Sequence, residues 1–115
     1  QYGDTAKEVN DFYETTKIKI LTLDDIDLFD DFESQAALLK NLDLFINTGN
    51  STSHVAGALG VESWTIKPQP HFSLHYWHQP GNTVPWYSNI KLFSIDKGWK
   101  NTIQNIKSEL IKRFK

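Results

Sequence analysis

The sequence predicts an α/β domain built on a mainly parallel sheet covered on both faces. Three observations carry the prediction: short apolar runs alternate with segments of helical periodicity, short connections join them, and one strand–turn–helix corner is unusually well marked. That corner runs from Asp43 to Gly60. Leu44 to Ile46 suits a central strand, and Gly49 to Ser53 supplies residues that bend the backbone and cap a helix start. Ala56, Gly57 and Ala58 are small enough to let that helix approach its sheet, and Gly60 stops it.

The remaining elements follow in order. Asp4 or Thr5 caps a first helix to about Tyr13, with Ala6, Val9 and Tyr13 on one face. Lys17 to Leu21, carrying Ile18 and Ile20, reads as a strand, and Thr22 to Asp31 as an acidic loop. Asp30 with Glu33 three residues on forms a variant capping box for a helix through Ala36, Leu38 and Leu39 to about Asn41. After the corner, Glu62 to Ile66 is the next strand, ended by Lys67-Pro68-Gln69-Pro70. His71 to about Ser88 is irregular and rich in aromatic residues, histidine and proline, the kind of long loop that is more often functional than filler. Ile90 to Phe93 gives a further short strand. Trp99, Ile103, Ile106 and Leu110 form one apolar stripe of a last packing helix, whose final turn carries Lys112, Arg113 and Lys115.

At 115 residues and 39% hydrophobic content the chain suits one packed domain. It contains no methionine, starts at Gln1 and opens on a helix, so a fragment of a longer chain is expected, with its first strand upstream of Gln1. A net charge of −2 gives no basic field for nucleic acid or anionic membrane. There is no membrane-length apolar run and no signal-peptide pattern, and the absence of cysteine excludes disulfides and thiol catalysis. A soluble cytoplasmic domain is expected.

A helix beginning near Ser51 aims free N–H groups and the positive end of its dipole outward, where a phosphate group fits. In parallel sheets ligands bind at the carboxyl ends of the strands, which nominates the loops starting at Gln1, Thr22, Thr48 and Lys67. His71, His75 and His78 have metal-ligand spacing only on a helix, which the neighbouring prolines oppose, and the Asp24 to Asp31 cluster lacks the glycine and glutamate of a calcium loop. No metal site is therefore predicted. Trp77, Trp86 and Tyr87 suit either stacking on a ligand or burial beneath the loop. Glycine-rich dinucleotide and P-loop motifs are missing, as is a nucleophile elbow.

The stretch from Gly49 to Gly60, with Trp86-Tyr87-Ser88-Asn89-Ile90-Lys91-Leu92-Phe93, resembles the carboxyl-terminal domain of heptosyltransferase-like glycosyltransferases. The likeness is closer to the transferase-like domains found behind tetratricopeptide repeats in bacterial proteins, and Gln1-Tyr2-Gly3-Asp4 is similar to their loop after the first strand. The resemblance implies a Rossmann-like three-layer α/β/α domain, the donor half of a GT-B enzyme, whose substrate is a nucleoside-diphosphate sugar and which needs no cofactor. It implies that Gly49, Asn50, Ser51, Thr52 and His54 meet the diphosphate. Gln1, Tyr2, Asp25, Lys67, Trp86 and Tyr87 are the implied nucleoside or sugar contacts. The catalytic base and acceptor site would belong to an amino-terminal domain of the same parent, so the isolated chain is not expected to turn over. Where heptosyltransferases have Asp-Thr or Asp-Ser, this chain has Gly49-Asn50, which keeps open an alternative: a transferase-derived module that acts as an interaction scaffold.

Overall fold

The computed structural model describes residues 4–27, 30–67 and 75–115. It is an α/β structure with helices α1 (Ala6–Thr16), α2 (Phe32–Lys40), α3 (Ser51–Ala58) and α4 (Gly98–Arg113). Strands β1 (Phe45–Thr48), β2 (Ser63–Lys67), β3 (Thr83–Val84) and β4 (Tyr87–Ser94) form one sheet in the order β1-β2-β4-β3. β1, β2 and β4 run parallel, and β3 pairs antiparallel with β4 at one edge.

Register and side-chain alternation divide the core. Trp64 lies opposite Lys91 and Ile66 opposite Phe93, so these side chains share one face. Trp64, Ile66 and Phe93 pack there with Ile106 of α4. Thr102 of α4 also donates to the Ser94 carbonyl at 3.0 Å, and the Lys91 ammonium meets Glu109 at 2.7 Å, so the end and middle of β4 are both tied to the helix. The Lys91 hydrogen bond, helped by Lys112, holds the Glu109 carboxyl below the usual carboxylate range. Ser63, Thr65, Ile90 and Leu92 point the other way, where Ile90 and Leu92 pack with Trp77 and Val84. A third cluster joins Leu39 of α2, Ala56 of α3 and Val61, with Phe45 and Val55 packed against it. Ser63 and Thr65 are fully buried. The Asn89 amide donates to the Ala56 and Val61 carbonyls, pinning the end of α3 to β4.

Several expected boundaries shift. The strand expected at Lys17 to Leu21 does not form: α1 continues to Thr16, Lys17 turns into the left-handed region at φ 57°, and the segment beyond it joins no ladder among the described residues. Ile18 and Leu21 are left 61% and 78% exposed. A strand needs a ladder partner as well as alternation, and β1, its nearest candidate in a βαβ order, pairs with β2 alone among the described residues. The cap of α2 is Asp31 rather than Asp30. Its side chain accepts from the Ser34 N–H at 3.0 Å, and hydrogen bonding to Ser34 keeps that carboxyl below its ordinary value. β4 begins at Tyr87, inside the stretch expected to be irregular, and β3 adds a short strand there. On α4 the stripe is only partly used: Ile106 is buried, whereas Trp99 and Ile103 are about half exposed. Gln1, Tyr2, Pro68, Pro70 and His71 lie outside the described residues.

Candidate functional site

The corner after β1 is organised by one buried hydroxyl. Asn50 is the N-cap of α3: its side-chain oxygen accepts from the Ser53 N–H at 3.2 Å, while Ser53 Oγ accepts from the Asn50 N–H at 3.1 Å. This reciprocal capping box satisfies two otherwise unpaired donors. Ser53 Oγ also donates to the Asn47 side-chain oxygen, which accepts from Thr65 Oγ1 at 3.2 Å as well. Strand β1, its neighbour β2 and the start of α3 are therefore held by a single polar network with Ser53 at its centre. The Asn47 side-chain nitrogen is buried without a partner.

With the Ser53 N–H taken by Asn50, the N–H groups of Ser51 and Thr52 are those the first turn leaves without helical partners. Ser51 is exposed and Thr52 half-buried. A cleft of about 690 Å³ opens beside them, with Thr48, Asn50 and Thr52 at one end and Gln35, Leu38 and Ile46 further along β1 and α2. That size lies in the usual range for small-molecule sites.

Gly49 and His54 face a different neighbourhood. A Cβ on Gly49 would stand 2.6 Å from Cδ1 of Trp77 and 2.8 Å from its Nε1, so the glycine is what lets the buried indole lie on the turn. Gly57 has the same relation to Tyr87, whose ring would be 2.6 Å from an added Cβ. His54 sits among these aromatics. Its Nδ1 is 3.1 Å from the Tyr87 hydroxyl, its ring centre is 4.7 Å from Trp77, and Tyr76 meets it edge-on at 5.1 Å. This leaves Nε2 as the ring nitrogen for a ligand.

The structure thus brings Asn50 and Thr52 to the cleft side of α3, with Ser51 exposed between them in the chain, and His54 with Tyr87 to an aromatic side. Trp86 is 44% exposed and lies near Tyr76. The Lys67 ammonium donates to the Gln79 carbonyl at 2.9 Å and lies 3.4 Å from that of Gly81, bracing the loop before β3. Asp25 is exposed and joined to none of these groups among the described residues. No group of three His, Cys, Asp or Glu side chains among the described residues is placed to hold a metal ion. No helix among them is long and apolar enough to cross a membrane.

Ser53, Asn47 and Tyr76 complete the site beyond the expected residues, and Trp77, for which stacking or burial was expected, is buried. Ser53 had a local signal, because Asn50-x-x-Ser53 is a capping pattern. An asparagine inside a strand is a weaker one for Asn47. The contact of Trp77 with Gly49 has no local signal at all.

Among known proteins, the chain is similar to Protein FlbA of Caulobacter vibrioides, 28% identical over 113 residues, which is 96% of this chain and 18% of that protein. The chain thus spans less than a fifth of that relative's length. No family model matches the chain. No solved structure matches it.

Proposed function

We propose that this chain is the nucleotide-sugar donor-binding domain of a glycosyltransferase-like protein, a Rossmann-like three-layer domain that works with an amino-terminal acceptor domain of the same bacterial, cytoplasmic parent. The observation that carries it is the cleft beside the capped start of α3, reached by Thr48, Asn50 and Thr52 at the carboxyl end of a parallel strand. Carboxyl ends of parallel strands are where α/β folds hold ligands, and a helix start there favours an anion. The Ser51 and Thr52 N–H groups and hydroxyls would hold the donor diphosphate, whereas His54, expected to join them, faces Tyr87 and Trp77 instead. As the glycosidic bond breaks, negative charge grows on the leaving diphosphate, and preorganised donors stabilise it without a metal. The domain supplies this part of glycosyl transfer, and the acceptor and its base come from the partner domain.

The test is a ¹H–¹⁵N titration of this chain with UDP, GDP and ADP. Saturable shifts centred on Gly49 to His54, with one nucleotide preferred, are expected. Silence at millimolar concentration refutes donor binding by this chain.

One observation favours the scaffold alternative. Gly49, Gly57 and His54 all serve internal packing against Trp77 and Tyr87, so the corner has a structural use that needs no ligand. A scaffold would keep that packing and show no nucleotide affinity.

A further inference from the structure

Two apolar surfaces are left without cover among the described residues, and their charges are opposite. The first is on α1. This helix of 11 residues buries none of them, and an isolated helix of that length is marginal in water, so its apolar side calls for a partner. Val9 and Tyr13 of that side form, with Ile20 of the segment beyond, a groove of about 780 Å³. Asp4 and Asp24 line it as well, and Lys19, in the same groove, forms an ion pair with neither. The second surface is the outer side of α4. Thr102 and Ile106 hold that helix to the sheet, which turns Trp99, Ile103 and Ile111 outward, each about half exposed. Lys100 and Lys107 stand among them on the same side, three residues before and four residues after Ile103. Lys112 and Arg113 are paired with Glu109 and Glu62, whereas Lys100 and Lys107 meet no carboxylate among the described residues.

We infer that the occupant of the α1 groove is α4 of a second copy of this chain, and that this contact, made twice about a two-fold axis, joins two copies. Trp99 enters the groove over Val9, Tyr13 and Ile20, and Lys100 and Lys107 meet Asp4 and Asp24. Both surfaces stay open within one molecule, so a chain on its own satisfies neither, and between copies each supplies the charge and the apolar area that the other lacks. Tryptophans entering a pocket anchor contacts of this kind, and complementary charges around them fix partner and register. Two-fold pairs are the commonest closed assemblies of identical chains. The groove shares no lining residue with the cleft at Thr48, Asn50 and Thr52, so the pairing stands whether or not a nucleotide binds.

Analytical ultracentrifugation from about 10 μM to about 1 mM, the range of weak pairs, follows the wild-type chain and two charge variants, K100E/K107E on α4 and D4K/D24K in the groove. The wild type is expected to pass from one copy to two across that range, and added salt to weaken the pair. Each variant sets like charges against each other and should weaken pairing about tenfold or more, as should W99A. W86A, on an exposed ring outside both surfaces, should change nothing. Mixed in equal amounts, the two charge variants should pair again, because both contacts of the mixed dimer then join opposite charges. Asp4 also accepts from the Ala6 N–H at 3.1 Å, so D24K alone is run beside the double variant to separate a frayed helix from a lost contact. A chain that stays monomeric throughout overturns the inference. So does a dimer that K100E/K107E leaves intact, or a failure of K100E/K107E to recombine with either groove variant when each keeps the wild-type ¹H–¹⁵N spectrum away from its substitutions.

Discussion

Replacing Gly49 with alanine adds one methyl group where the turn meets Trp77. The new carbon would lie 2.6, 2.8 and 3.0 Å from three atoms of the indole ring, roughly 1 Å inside normal carbon contact distance. Trp77 is 1% exposed and packed with Val84, Ile90 and Leu92, so the ring has no free space to retreat into. Overpacking of this kind costs about 1–3 kcal/mol. For a domain of this size that corresponds to a fall in Tm of roughly 5–15 °C, measured by thermal or urea unfolding. A second arm isolates the cause. With Trp77 already replaced by leucine, the same Gly49→Ala change meets no indole and should stabilise by about 0.4–1 kcal/mol through the unfolded chain. The two backgrounds must therefore differ in sign. If Gly49→Ala costs the same in both, or stabilises the wild type, the glycine is not there for the tryptophan.

Three further outcomes are expected. Asn50→Ala removes both the cap and the partner of Ser53 and should lower stability by about 1 kcal/mol in urea unfolding, whereas Asn50→Asp should retain it; equal loss in both variants contradicts the capping box. Gly57→Ala should destabilise despite the better helix propensity of alanine, and become stabilising by about 1 kcal/mol once Tyr87 is also alanine, as read by the same unfolding curves. Because Glu109 is held below its ordinary value by Lys91, the pair stabilises the fold above the unfolded carboxyl range near pH 4, and that contribution is lost as pH falls through the lowered value. Stability measured from pH 6 to pH 2 should show a shallower acid decline in Lys91→Met, and an unchanged decline would remove the pair from consideration.

What was legible in the sequence followed how local the physics was. The α3 corner could be read because a cap, small residues and a terminating glycine lie within one stretch, and the helix begins at Ser51 as expected. The strands expected at Leu44 to Ile46, Glu62 to Ile66 and Ile90 to Phe93 form with their ends moved by a residue or more, since ladder length depends on the neighbour: β4 starts at Tyr87 because Val84 lies opposite it on β3. Ile18 and Ile20 had the alternation of a strand but no strand to pair with among the described residues. The cap was expected at Asp30, one residue early, because the Asp31 carboxylate that turns toward the Ser34 N–H has no sequence mark of its own. Within the candidate site, Asn50 was legible for its cap, whereas the aromatic roof over Gly49 and Gly57 depends on chain folding back from residues 77 and 87.

The two margins of the sheet are unequal. On one side β3 is two residues long, runs against its neighbour and includes a register shift, a short, irregular border that offers little for another chain to copy. On the other side β1 is regular, pairs only inward among the described residues and leaves Ile46 40% exposed. Sticking between molecules of this chain should thus be one-sided, beginning at β1 and sparing β3. A lysine at position 46 would blunt that edge and would also set a charge in the cleft that Ile46 helps to line.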